Sequence, residues 1–145
     1  FAAFKTYYTD HCKEATAPYP GIMELLKTLQ EHEIPMAIVS NKNDAAVKRL
    51  AADFFEGIIS VAIGERTGVR KKPAPDTVFT ALDELGEHAD SAVYVGDSEV
   101  DLQTAANSGM DCISVAWGFK GRAFLEKEGA SHIVDTPEEI LRFLI

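Results

Sequence analysis

The fold of this protein is decided by residues 92–101, which read Ala-Val-Tyr-Val-Gly-Asp-Ser-Glu-Val-Asp. Residues 92–95 are apolar, which is typical of a parallel strand that is covered on both faces. Gly96 and Asp97 end this run, and the helical spacing of the apolar residues that follow indicates a helix ending at Gly109. A buried strand that leads directly into a helix is part of a βαβ unit, so this segment predicts a parallel sheet flanked by helices.

The same alternation of apolar runs and helical patterns continues on both sides of this segment. It predicts one doubly wound, mostly parallel, Rossmann-like α/β domain. Ligands of such sheets bind beyond the carboxyl ends of the strands, so polar residues at those ends form the candidate site. Further strands are predicted at residues 36–39, 58–61, 112–115 and 133–134. Helices are predicted at residues 22–32, from residue 44 through residue 50, from a cap at Asp76 to Gly86, and after a capping box at residues 136–139.

The beginning of the chain has a different pattern. Aromatic and other apolar residues recur at helical spacing over residues 1–12, and no capping residue precedes Phe1. Two prolines and a glycine within residues 15–21 then indicate a boundary or a linker. We therefore expect the chain to begin inside a helix that belongs to a separate unit from the sheet.

Composition and charge exclude several classes of protein. The chain has 145 residues, of which 46% are hydrophobic, so it can bury one core. Its formal net charge of -9 argues against nucleic acid or an anionic membrane as a partner. Its apolar runs are too short to span a bilayer. Cys12 and Cys112 lack the spacing of metal ligands, which favours a reducing compartment, and we expect a cytoplasmic protein.

Two polar clusters have the composition of a phosphate site. Ser40 and Asn41 directly follow the strand at residues 36–39, so a hydroxyl and an amide stand where a helix begins. The alternative is that Ser40 or Asn43 only caps that helix. Lys72 precedes a Pro-Ala-Pro segment, whose fixed backbone would aim its ammonium at an anion. The alternative for Lys72 is a solvated cation of a loop.

A third cluster has the composition of a metal site. Asp97 and Asp101 are four residues apart across a strand-to-helix turn, so their carboxylates can converge on one hard cation, which prefers oxygen ligands. Both carboxylates would follow a buried strand, where they repel each other unless a cation compensates them. The alternative is that Asp97 or Ser98 only caps the helix.

Taken in order along the chain, the three clusters resemble the motifs of the haloacid dehalogenase superfamily. Residues 40–42 resemble its second motif, Lys72 with the following Pro-Ala-Pro-Asp its third, and residues 96–101 its fourth. The phosphoglycolate phosphatase branch is indicated by residues 18–21, 106–110 and 115–119. In this branch residues 1–12 resemble the last helix of a small helical cap. We therefore expect residues 1–16 to end the cap domain and residues 17–145 to form the C-terminal part of the catalytic core.

The resemblance implies a magnesium-dependent phosphomonoester hydrolase that acts on a small phosphorylated metabolite, with phosphoglycolate favoured, through an aspartyl-phosphate intermediate. Ser40 would bind the transferring phosphoryl group, and Asn41 would supply a further donor. Lys72 would bridge the phosphate and the attacking carboxylate. Asp97 would bind Mg²⁺, and Asp101 would orient Lys72 or a water on the metal. Relatives that act as β-phosphoglucomutases, nucleotidases or pyrophosphatases share these motifs, so the substrate stays open.

One family motif has no counterpart in the chain. The family's first strand lies centrally, between the strands that end at Ser40 and Asp97, and it ends in an Asp-x-Asp-Gly motif that carries the nucleophile. No Asp-x-Asp pair occurs in the chain. We expect the chain to be part of a longer protein, which is a monomer or homodimer when complete. Alone it should be inactive, and unstable unless the gap in its sheet is filled. The alternative is a non-catalytic phosphate-binding module of the same fold.

Overall fold

The computed structural model describes residues 2–6, 21–70, 72–117 and 120–144. Six strands form one sheet in the order β3-β2-β1-β4-β5-β6, and each neighbouring pair is parallel. The doubly wound α/β class predicted from the sequence is therefore confirmed. The strands are β1 (Ala2–Thr6), β2 (Met36–Asn43), β3 (Val61–Glu65), β4 (Ala92–Gly96), β5 (Asp111–Val115) and β6 (Ile133–Val134). The helices are α1 (Ile22–Glu31), α2 (Asp44–Phe55), α3 (Asp76–Leu85), α4 (Glu99–Ser108), α5 (Arg122–Lys127) and α6 (Pro137–Leu144), and a short 3₁₀ turn spans Ala89–Ser91.

Helices cover both faces of the sheet. Side chains of β4 alternate between two cores: Val93 and Val95 pack with residues of α1, α2 and α6, whereas Tyr94 packs with residues of α3 and α4. This alternation follows from the two-residue period of a strand, and burial on both faces explains why the strands read as continuous apolar runs. None of the described helices is long and apolar enough to cross a membrane.

The position between β2 and β4 is occupied by β1. Backbone pairing places Phe4 beside Ala37 of β2 and beside Tyr94 of β4. Residues 2–6 are thus a strand, and the helix expected over residues 1–12 is wrong for this part. The physical reason is that the interior strands on both sides of this position have backbone N–H and C=O groups that require hydrogen-bond partners. Pairing these groups stabilises the chain more than a short helix would. The rest of that expected helix, and the linker at residues 15–20, lie outside the described residues.

Two element boundaries differ from the sequence prediction because backbone and side-chain groups find other partners. The N–H groups of Ile58 and Ile59 both donate to the carbonyl of Phe55, so these residues close α2 and β3 begins only at Val61. Asp76 does not cap α3, because its carboxylate binds the guanidinium and backbone N–H of Arg70 instead. The remaining predicted strands and the predicted ends of α3 at Gly86 and α4 at Gly109 agree with the structure.

Candidate active site

A bulge in β2 brings the first polar cluster to the carboxyl edge of the sheet. Between Val39 and Asn43 the strand advances four residues, while its partner β3 advances only from Ile63 to Glu65. The extra residues displace the chain from its ladder, which is a common way to re-aim side chains next to a site. Ser40 is buried in this bulge, with 1% of its surface exposed, and its Oγ accepts a hydrogen bond of 3.3 Å from the N–H of Lys42.

Asn43 ends the bulge and is the N-cap residue of α2. Its side-chain oxygen accepts a 2.8 Å hydrogen bond from the N–H of Ala46. The capping role that was an alternative for Ser40 or Asn43 therefore belongs to Asn43. Ser40 lies in the β2 bulge ahead of this cap, next to Asn41 in the chain.

Asn41 holds the backbone on both sides of Lys72. Its Oδ1 accepts a 2.7 Å hydrogen bond from the N–H of Lys72, and its Nδ2 donates to the carbonyl of the same residue at 3.3 Å. From the other side, Nδ2 of Asn107 on α4 donates to the carbonyl of Pro73 at 2.9 Å. Lys72 is only 8% exposed, so it is not a solvated loop cation. The sequence suggested that Asn41 supplies a backbone or amide donor to phosphate, and in the structure its side-chain amide binds the backbone of Lys72.

The ammonium of Lys72 lies against Asp101. The Lys72 Nζ is 3.0 Å from Oδ1 of Asp101, and both side chains are buried. The hydroxyl of Tyr94 donates to the same Oδ1 at 2.7 Å. A buried pair of opposite charges is held best when each carboxylate oxygen also accepts further hydrogen bonds, as this one does.

The second oxygen of Asp101 is held by the start of α4. Oδ2 accepts hydrogen bonds from the N–H of Asp97 at 2.9 Å, and from the N–H and Oγ of Ser98 at 3.2 and 3.1 Å. Ser98 and Asp101 form a reciprocal capping box for the helix. The alternative that Ser98 caps α4 is therefore correct, and Asp101 takes part in the cap while it also pairs with Lys72.

The electrostatics of the site follow from burial and from the lysine. Burial raises the pKa of Asp101, but the Lys72 charge and the hydrogen bonds from Tyr94 and the Asp97 N–H offset it, so the pKa lies below its usual range. Cys112, on the neighbouring strand, shows the opposite effect. Burial and the nearby charge of Asp101 raise the pKa of its thiol to about 12, so the thiol is neutral and structural.

Asp97 lies at the carboxyl end of β4 with none of its surface exposed. Glu99, two residues further on, has a buried Oε2 without a hydrogen-bond partner in the described part of the chain. Carboxylate oxygens are the donors that a hard cation requires, and Mg²⁺ is commonly bound by one or two carboxylates with water and substrate oxygens. The residues present therefore fit Mg²⁺, although no group of three or more acidic, histidine or cysteine side chains that could hold a metal by itself occurs among the described residues.

The structure thus brings the sequence-predicted residues to one edge of the sheet. Asp101 contacts both Lys72 and the backbone of Asp97, and Asn41 joins Lys72 to the bulge that carries Ser40. Sequence reasoning missed Tyr94 and Asn107. The signal for Tyr94 was present, because a tyrosine in a strand buried on both faces needs a partner for its hydroxyl.

Comparison with known proteins supports a family relationship. The family model for haloacid dehalogenase-like hydrolases matches residues 1–115. The phosphoglycolate phosphatase of Pseudomonas savastanoi pv. phaseolicola is 32% identical over 133 residues, which cover 88% of this chain and 47% of that protein. This chain spans about half the length of the curated relatives it matches.

Solved structures show the same similarity. A candidate phosphoglycolate phosphatase from Lactobacillus delbrueckii subsp. bulgaricus superposes with a TM-score of 0.88 at 47% identity, covering 96% of this chain and 58% of its own. CbbY of Rhodobacter sphaeroides, solved with xylulose-1,5-bisphosphate, superposes with a TM-score of 0.68 at 29% identity over 83% of this chain and 54% of its own.

Proposed function

Since the chain belongs to the haloacid dehalogenase-like hydrolases, we propose that the protein carrying it is a magnesium-dependent phosphatase of small phosphorylated metabolites. We propose phosphoglycolate, or a molecule of similar size, as the substrate, because proteins with that name are among the relatives and among the similar structures. The reaction proposed is hydrolysis of a phosphomonoester through an aspartyl-phosphate intermediate.

The observation that carries this proposal is the placement of Lys72. The Lys72 ammonium is buried at the carboxyl edge of a parallel sheet, where it pairs with the carboxylate of Asp101. The backbone of Lys72 is hydrogen-bonded to the side chain of Asn41. A cation positioned in advance at the ligand edge of such a fold suits an anionic substrate, because it needs no rearrangement when charge builds up in the transition state.

The side chains of this chain would divide the work as follows. Lys72 neutralises a phosphate oxygen and lowers the repulsion between the phosphate and an attacking carboxylate. The Ser40 hydroxyl and the backbone N–H groups of the bulge bind other phosphate oxygens. Asp101 holds Lys72 in its place. Asp97, with Glu99 as a second candidate, would hold Mg²⁺, which when bound supplies positive charge against the phosphate.

The attacking carboxylate is proposed to lie in another part of the protein. No Asp-x-Asp pair occurs in the chain, and the chain spans about half the length of its relatives. The coding sequence outside these residues should therefore encode an Asp-x-Asp pair. The residues 1–145 alone should show no turnover of p-nitrophenyl phosphate, although they retain the groups that bind phosphate.

The decisive experiment measures phosphate release by the whole protein with and without Mg²⁺. We expect turnover that chelation removes, and a loss of about a thousandfold or more for Asp97→Ala and for Lys72→Met, because both groups act on the same charge. Arg49→Met, which removes an exposed cation on α2, is the matched control and should leave turnover unchanged. Wild-type turnover in Lys72→Met would remove the lysine from the mechanism, and absence of turnover in the whole protein would favour a phosphate-binding module.

A further inference from the structure

We propose that Tyr94 is a positioning residue that fixes the direction in which the Lys72 ammonium points. The inference rests on the proposed function, since it assigns a residue that acts on the proposed phosphate-binding lysine. Tyr94 is fully buried in the central part of β4, on the face that packs against α3 and α4. A phenylalanine would fill the same apolar space, so the hydroxyl is the part of the side chain that requires an explanation.

The hydroxyl shares a single acceptor with the lysine. Tyr94 donates to Oδ1 of Asp101 at 2.7 Å, and the Lys72 Nζ lies 3.0 Å from the same oxygen. A carboxylate oxygen accepts along two lone-pair directions. When the tyrosine occupies one of them, the ammonium is left with the other.

The carboxylate itself cannot turn away from this arrangement. Its Oδ2 accepts hydrogen bonds from the backbone N–H groups of Asp97 and Ser98 and from the Ser98 hydroxyl, all at the start of α4. These donors fix the plane of the carboxylate, and therefore the lone pairs of Oδ1. The Lys72 backbone is fixed separately by Asn41. Among the contacts of the described residues, the direction of the ammonium is consequently set by its competition with the Tyr94 hydroxyl for Oδ1.

Without the hydroxyl, Oδ1 would offer both directions to the lysine. The ion pair with Asp101 would remain, but the ammonium would be distributed over two positions. Small displacements of a group that stabilises a transition state cost rate more than substrate affinity. A merely structural role of Tyr94 would instead change stability and act independently of Lys72.

The test compares Tyr94→Phe, Lys72→Met and the double variant in the whole protein with Mg²⁺ and p-nitrophenyl phosphate. We expect Tyr94→Phe to lower kcat roughly tenfold with KM within about twofold of wild type. In the Lys72→Met background the same change should have no further effect on residual turnover, because its target is gone. Thr77→Val is the matched control, since Thr77 is also fully buried and its hydroxyl has no hydrogen-bond partner in the described residues. It should leave kcat and KM unchanged.

A second measurement does not depend on turnover. The rate at which Lys72 is acylated by acetic anhydride, followed by peptide mass spectrometry, should fall several-fold in Tyr94→Phe, because Oδ1 of Asp101 then accepts from the ammonium alone, and stay unchanged in Thr77→Val. Equal effects of Tyr94→Phe in the two lysine backgrounds, or unchanged acylation, would overturn the proposal for Tyr94. Loss of turnover in Lys72→Met with wild-type kinetics in Tyr94→Phe would overturn it as well and leave the phosphatase proposal standing. Unchanged turnover in Lys72→Met would refute the proposed role of the lysine.

Discussion

At the scale of single residues, Asp101 connects the local structure of α4 to the chemistry of the site. Its two oxygens accept from five donors, contributed by Lys72, Tyr94, Asp97 and Ser98. A carboxylate has about four lone-pair positions, so its capacity is filled. This is why we assign Asp101 to hold the lysine and assign the metal to Asp97.

Replacement of Asp101 by asparagine tests that assignment. An amide has one acceptor oxygen, so either the lysine or the helix cap loses its acceptor. We expect the free energy of unfolding to fall by about 3 kcal/mol, since breaking a buried ion pair leaves an uncompensated charge. Urea unfolding measures the change, and Asp111→Asn, at an exposed carboxylate, serves as control. Equal stability of the two variants would show that the pair contributes nothing. Turnover of the whole protein should fall less than in Lys72→Met.

Gly96 is required by the close approach of Asp101. A Cβ at this position would lie 2.6 Å from Oδ2 of Asp101 and nearer still to its Cβ and Cγ. We expect Gly96→Ala to cost about 1–3 kcal/mol of stability and to disturb the lysine pair. The control is Gly109→Ala, where the added Cβ meets nothing but φ is +72°, so the cost is backbone strain alone. Turnover should drop in Gly96→Ala and persist in Gly109→Ala. Full turnover in Gly96→Ala would contradict the close approach of Asp101 to this glycine.

At the scale of elements, Asp44 joins the start of α2 to β3. Its Oδ1 accepts a 3.0 Å hydrogen bond from the N–H of Gly64, and its carboxylate pairs with Lys48 at 2.7 Å and Arg66 at 3.5 Å. Burial raises the pKa of Asp44, but the Gly64 N–H and the two cations outweigh it and hold the pKa below its ordinary value of 3.8. The junction supports the bulge of β2 and with it the position of Ser40.

The pH dependence of stability measures how much the charged Asp44 carboxylate contributes to this junction. Because the folded-state pKa is below the unfolded one, the charged carboxylate stabilises the fold above pH 3.8, and this contribution is lost as pH falls through the lower folded-state value. Asp44→Asn should therefore unfold more easily at neutral pH and lose less on acidification than wild type does. Thermal unfolding at several pH values down to about pH 3 measures both effects. A parallel acid dependence in the two proteins would assign the effect to other carboxylates. Asp53→Asn, an exposed carboxylate on the same helix, is the control.

At the scale of the whole molecule, the sheet depends on the strand between β2 and β4. Both neighbours are buried on both faces, so an open position there would expose two rows of unpaired backbone groups. β1 pairs with both and closes the sheet. We expect Phe4→Pro to destabilise the chain by at least about 1–3 kcal/mol, because proline removes a ladder hydrogen bond from an interior strand.

Thermal unfolding and size-exclusion chromatography test this expectation. Phe4→Pro should lower the Tm and promote association through the opened edges, whereas Phe4→Ala keeps the backbone N–H and should cost less. If the two variants unfold at the same temperature and remain equally monomeric, residues 2–6 do not complete the sheet.

The sequence by itself determined the fold class and the order of the site residues. Apolar runs such as residues 92–95 identify interior strands because burial on both faces leaves no polar positions, and Gly109 and Gly86 mark helix ends because left-handed backbone favours glycine. The polar residues after these strands had to meet, since parallel strands end at one edge. These features depend on residues that are close together in the chain, so a short stretch of sequence is enough to predict them.

Only the tertiary structure decided which partner each polar group takes. The sequence could not show that Asn41 holds the backbone of Lys72, that Tyr94 shares an oxygen with that lysine, or that residues 2–6 form a strand. The first contact joins residues 31 positions apart. The second brings Tyr94 of β4 and Lys72 to one oxygen of Asp101 on α4. Residues 2–6 form a strand because hydrogen bonds with the two flanking strands stabilise the chain more than a short helix would. Long-range partners are chosen by burial and by the need to satisfy every buried polar group, and neither is visible in a stretch of sequence.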